Sequence, residues 1–148
     1  MYFNLNGTTI QKLFLNGVEV DNAYLNGVQV FTTSPEVGDL YNGGTYLGDL
    51  GGYRYIWSGL QSSGLNQSSA ALYCENLLKD GYEDWFLPTS DELLWMAIKP
   101  MLIPAIETWS STSADMAFFY MVDTANEVMV TKSYLLQYPA LPIRKERI

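Results

Sequence analysis

Short runs of alternating apolar and polar residues open this 148-residue chain. Val18 and Val20 flank Glu19, and Val28 and Val30 flank Gln29, so each run has one apolar and one wet face, the period of a β-strand. Asn6-Gly7, Asn16-Gly17 and Asn26-Gly27 punctuate the runs at a period of ten. Asn-Gly favours the left-handed dihedrals of a tight type I′ turn, so residues 1–34 are expected to form two or three small hairpins. Ribbons this small are marginal alone. They need a neighbour, either identical chains around a symmetry axis, which we favour, or the domain that follows. Asn16, Gly17, Val18 and Val20, with Asn26, Gly27, Val28 and Val30, are the candidates for oligomerisation or docking.

Thr32-Thr33-Ser34-Pro35 breaks the alternation, and a second domain is expected over 35–148. A Gly- and Tyr-rich stretch leads into Tyr53-Arg54-Tyr55-Ile56-Trp57, whose alternation places Tyr53, Tyr55 and Trp57 on one strand face. Ser58 to Gln67 reads as a polar loop. From Ser68 or Ser69 the period changes to that of a helix, with Ala70, Ala71, Tyr73, Cys74, Leu77 and Leu78 as its stripe and Gly81 as its stop. Trp85-Phe86-Leu87 is expected to enter the core. Thr89 and Glu92 spell a capping box for a second helix that Pro100 ends. Met101 to Ile106 is expected to cross beneath the core. Strands from Glu107, over 117–122, over 128–131 and near Leu141–Lys145 complete an α+β plan of two helices and short antiparallel sheets.

Composition narrows the function. Sixteen acidic against eight basic residues leave a net charge of -8, which disfavours generic nucleic-acid binding. The absence of His removes the commonest proton shuttle and metal ligand. Cys74, the only cysteine, is expected to be a buried small hydrophobe and forms no disulfide within the chain. The start shows neither a basic segment nor an apolar run, so no signal peptide is expected, and no stretch suggests membrane insertion. Glu83, Asp84, Asp91 and Glu92 raise a glycosidase reading. Glu92 already has a capping task, however, and Asp84 is expected to bond nearby backbone N–H groups. Asp39, Asn42 and Asp49 lack the order of a calcium loop. No catalytic residue, cofactor or metal is therefore assigned. The surplus of Tyr41, Tyr46, Tyr53, Tyr55 and Trp57, with Asn66, Tyr134 and Tyr138, points instead to ligand contact through aromatic faces beside polar groups. The alternative is that half of the first five, Trp57 or Tyr55 among them, pack inside, and that Tyr134 and Tyr138 pack between subunits.

The strings Gly81-Tyr82-x-Asp84-Trp85-x-Leu87-Pro88-Thr89-x-x-Glu92-Leu93 and Trp109-Ser110-Ser111-Thr112, preceded by Ala71 to Leu77 with Cys74, resemble the DUF1566 family. That resemblance covers roughly residues 36–148. It implies a fold like that of C-type lectins and formylglycine-generating enzymes, with Cys74, Asp84, Trp85, Leu87, Pro88, Thr89, Glu92, Trp109 and Ser110 as fold-determining positions. Family members often pair a cysteine at the Cys74 position with one in a terminal strand. Here Pro142-Ile143-Arg144-Lys145 occupies that region without a second cysteine. The calcium-binding strings of sugar-binding C-type lectins are missing as well, and so are the cysteines of the oxidases.

The repeats ending in Leu-Asn-Gly-Val-x-Val resemble segments near the starts of bacteriophage tail and fibre proteins. Together the two resemblances imply a non-catalytic virion protein assembled in the host cytoplasm. It would be a homo-oligomer, a trimer by analogy with fibres, that meets other virion proteins and binds a host-surface glycan or protein. The alternative is a structural virion component with no receptor contact.

Overall fold

In a computed structural model, residues 35–99 and 101–148 are described in full, preceded by the backbones of six short strands within the first 34 residues. Contacts divide the chain into two units, residues 1–39 and 40–148. In the first, β1 (Phe3–Leu5) pairs with β2 (Thr8–Ile10), β3 (Leu13–Leu15) with β4 (Val18–Val20), and β5 (Asn22–Leu25) with β6 (Val28–Thr32). Each pair is antiparallel and forms its own two-stranded sheet. The pairs close at Leu5↔Thr8, Leu15↔Val18 and Leu25↔Val28, the register that a two-residue connection imposes. The Asn-Gly positions themselves, Asn16, Gly17, Asn26 and Gly27 included, lie outside the described residues, as do the side chains of Val18, Val20, Val28 and Val30.

The second unit is α+β. It runs β7 (Leu40–Tyr41), β8 (Gly44–Leu50), β9 (Tyr53–Trp57), α1 (Gln67–Glu75), α2 (Ser90–Ala97), β10 (Glu107–Ser113), β11 (Phe118–Asp123), β12 (Val128–Ser133) and β13 (Ile143–Arg147). A three-stranded antiparallel sheet has the order β10-β11-β12, and a four-stranded one the order β13-β9-β8-β7. The last strand therefore returns to the first part of the domain, pairing Ile143 with Trp57 and Arg147 with Tyr53. This closure decides which distant residues meet.

Two cores flank the three-stranded sheet. Val122 joins Leu47, Tyr55, Leu93, Met96, Leu141 and Ile143 around α2, whereas Met121 joins Ala70, Cys74, Leu87, Trp109 and Ala140 around α1. Successive residues of β11 point to opposite faces, so one strand feeds both cores. A bulge between Tyr46 and Gly48 in β8 adds Leu47 to the ladder, and both Tyr46 and Leu47 are buried. On β9, Tyr55 and Ile56 are likewise both buried, although their side chains alternate. The sheet is covered on both faces there, and of the three aromatic residues on the strand only Tyr53, at its end, is exposed.

Helix boundaries correct part of the sequence reading. Asn66 caps α1, accepting from the Ser69 N–H at 2.9 Å, in place of Ser68 or Ser69. The helix stops at Glu75 with Asn76 as its cap, so Gly81 is not its terminator. Gly81 instead supplies a positive φ of 83° in the turn closed between Lys79 and Tyr82. Leu78, left beyond the helix, is exposed. The second helix follows the expected chemistry: the Glu92 N–H donates to Thr89 Oγ1 at 3.2 Å and the Thr89 N–H to Glu92 Oε2 at 2.9 Å. Pro100 lies outside the described residues. Trp85 and Leu87 are buried, while Phe86 is only partly so, its backbone exchanging bonds of 2.8 and 3.1 Å with Ile143. In the 101–106 segment Leu102, Ile103 and Ile106 pack against the core, but Met101 is exposed.

Candidate functional site

The return of β13 builds the frame from which any surface site is held. Arg144 is buried and forks onto Asp84, with Nε to Oδ1 at 2.8 Å and Nη2 to Oδ2 at 3.1 Å. Its Nη1 donates to Glu146 at 2.6 Å and to the Asn42 carbonyl at 3.2 Å, and its guanidinium lies 3.9 Å from the Tyr82 ring centroid. Asp84 therefore holds an arginine 60 residues away, where the sequence suggested local backbone bonding. The guanidinium's hydrogen bonds, helped by its charge, hold the Asp84 carboxyl below the usual carboxylate range against the opposing effect of partial burial.

Glu92 is drawn into a similar frame. Besides its capping bond it accepts from the Tyr55 hydroxyl at 2.9 Å and from Lys145 Nζ at 3.5 Å. Burial, then this bond to a carboxylate, pushes the Tyr55 phenol up to about 12. Burial alone accounts for most of the rise of the Cys74 thiol to about 12, which leaves it unreactive at neutral pH. Among the described residues no group of three or more His, Cys, Asp or Glu side chains is placed to hold a metal ion.

The aromatic candidates separate into two kinds. Tyr46 and Tyr55 are buried, which removes them from a contact surface. Tyr46 donates to Asp49 Oδ1 at 2.6 Å, and burial followed by that bond raises its phenol to about 12. Tyr41 is half-buried, set edge-on to Tyr46 and accepting from Arg54 Nη1 at 3.1 Å. Asn66 is occupied as a helix cap. Tyr138 packs edge-on against buried Trp109 with 5.2 Å between centroids, and half-buried Trp57 donates Nε1 to the Leu60 carbonyl at 3.2 Å. Tyr53 and Tyr134 alone of the eight are exposed.

Tyr134 belongs to an irregular surface made where residues 58–67 run beside 134–142. The Leu65 and Tyr138 backbones exchange two hydrogen bonds of 3.0 Å. Further bonds join the Ser58 N–H to Pro142 O, the Ser62 N–H to Ala140 O and the Gln67 N–H to Tyr134 O, at 3.0, 3.1 and 3.2 Å. Buried Ser62 accepts the Ala140 N–H at 2.8 Å, and Trp109 Nε1 anchors the Leu65 carbonyl at 2.8 Å. These internal bonds fix the backbone and leave Gln61, Ser63, Tyr134, Leu135, Leu136 and Gln137 outward.

This surface carries no charge of its own. From Tyr55 to Cys74 and from Ser133 to Ile143 the sequence contains no Asp, Glu, Lys or Arg. Neither stretch therefore brings a carboxylate, an ammonium or a guanidinium group to whatever meets this surface. The aromatic count in the sequence missed Gln61, Ser63 and Gln137. The signal that could have found them is the pair of charge-free stretches in a strongly acidic chain.

Beside it, β12 ends the three-stranded sheet and leaves Val128, Met129 and Val130 exposed, with Phe118 on the neighbouring strand. Among the described residues no helix is long and apolar enough to cross a membrane. Compared with protein-family models and with curated proteins, the chain matches none.

Proposed function

We propose that the chain is a bacteriophage virion protein, associated with a tail or fibre, whose second unit has a C-type-lectin-like fold of the DUF1566 kind and binds a host-surface receptor or glycan without catalysis. The observation that carries the binding part is the paired-loop surface: backbone fixed by its own hydrogen bonds, polar and aromatic side chains turned out, no acid or base among them. The virion part is supported by the resemblance of the N-terminal repeats to phage tail proteins, and the lectin-like part by the Gly81–Leu93 and Trp109–Thr112 strings. The N-terminal hairpins then serve as the homo-oligomeric or docking segment, a trimer by analogy with fibres.

Labelled full-length protein mixed with a range of bacterial strains tests this reading. Retention on some strains and not others is expected, with retention lost in Tyr134→Ala/Gln137→Ala. Uniform failure to bind any strain would favour the second reading, a structural virion component. That reading draws on the exposed apolar edge of β12, since an uncovered strand of this kind is a template for pairing with a neighbouring subunit.

A further inference from the structure

We infer that the paired loops take an uncharged, hydroxyl-rich ligand, a neutral stretch of surface polysaccharide; this rests on the binding reading above. An anionic ligand is normally gripped by Arg or Lys through charge-assisted bonds, and a cationic one by carboxylates. Neither kind of side chain occurs in residues 55–74 or 133–143. Arg144, at the border, is buried and committed to Asp84 and Glu146. Arg54, which borders the first stretch, is bonded to the Tyr41 hydroxyl, Lys132 borders the second at the end of β12, and the net charge of -8 repels polyanions as they approach.

What the loops do offer matches a sugar. Gln61 and Gln137 each present a donor and an acceptor on one amide, and Ser63 adds a hydroxyl, the complement of adjacent sugar hydroxyls. Tyr134, 39% exposed, gives a ring face, and Leu60 and Leu136 supply apolar surface for the C–H side of a pyranose. Because the backbone is already paired, little ordering entropy opposes binding.

The test uses the full-length protein and a strain that retains it. Surface polysaccharide from that strain is split by anion exchange into an unretained, neutral fraction and a salt-eluted, anionic one, and each competes with the cells for the labelled protein. The neutral fraction is expected to displace it. Binding is expected to change less than about twofold as salt rises from about 0.05 M to about 0.5 M, a range over which charge–charge attraction is largely screened. Gln61→Ala and Gln137→Ala are each expected to weaken binding by about fivefold, the loss of one net hydrogen bond, without shifting thermal unfolding. Competition by the anionic fraction alone, a steep fall with salt, or loss of binding after protease treatment of the cells overturns this inference and leaves the receptor-binding reading standing. Failure to bind any strain removes both.

Discussion

Arg144 is the residue on which the closure of the domain turns, because it joins the last strand to the Asp84 turn and to the Asn42 turn at once. Arg144→Ala is expected to cost about 2 kcal/mol in denaturant unfolding, the scale of hydrogen bonds to a charged group. The half-exposed Asp84 carboxylate keeps the cost below that of breaking a fully buried pair. Asp84→Asn should also remove the acid dependence that its lowered pKa creates. Its stabilising effect is present above the unfolded carboxyl value of about 3.9 and lost as pH falls through the lower folded value, so the variant's unfolding curve should be flatter in that window. The buried phenols act at the other end of the scale. Tyr46 and Tyr55 are raised to about 12, so their contribution is full below the unfolded value of about 10 and disappears as pH climbs towards 12. Burial raises the Tyr73 phenol as well, so ultraviolet titration should show Tyr46, Tyr55 and Tyr73 ionising late, and Tyr55→Phe should remove one of them. Neither the Arg144–Asp84 nor the Tyr55–Glu92 pairing was legible in the sequence. Residues 60 and 37 apart meet through strand order, and local periodicity carries no information about strand order.

At the scale of elements, the signals that could be read were the local ones. Thr89 and Glu92 formed their capping box because its bonds span only three residues. Thr89→Ala should cost about 1 kcal/mol. The first helix was shorter than its apolar stripe implied, because Asn66 and Asn76 set its ends and Gly81 serves another turn. The strand of Tyr53, Tyr55 and Trp57 was legible, and so was the burial of one of its aromatic residues, but not the cover on both faces, which comes from elements far along the chain. Gly44 shows the same limit. In sequence it reads as a turn residue, whereas in the fold it starts β8 where an added Cβ would lie 2.1 Å from the Trp57 carbonyl oxygen. Gly44→Ala should force the β8–β9 ladder apart and cost at least about 3 kcal/mol. Gly51→Ala meets no atom, and at φ +59° it should cost only about 1–2 kcal/mol of backbone strain. Comparing the two by thermal unfolding separates close packing from conformational freedom.

For the whole molecule, the change of pattern near Pro35 was the legible feature, and contacts divide the chain at Asp39 and Leu40. The second unit has two buried cores of its own, so a fragment beginning at Pro35 should fold and behave as a monomer in light scattering. The first unit is built differently, from three separate two-stranded sheets. A lone hairpin is marginal in water because too little apolar surface is covered to offset the ordering of its backbone. Three of them in sequence call for cover, which either the following domain or identical chains around an axis would supply, and we favour the second. Full-length protein is therefore expected to run as a stable homo-oligomer whose mass is an integral multiple of 16.7 kDa. Finding full chain and fragment both monomeric would remove the oligomerising role from the hairpins, leave them to the domain's own sheet or to an absent partner protein, and favour the structural-component reading over receptor binding. An oligomer that persists in the fragment would place the contact in the second unit, where the exposed strand β12 is the first surface to mutate. Val130→Lys, a charge in the middle of that edge, should then return the fragment to a monomer without loss of stability.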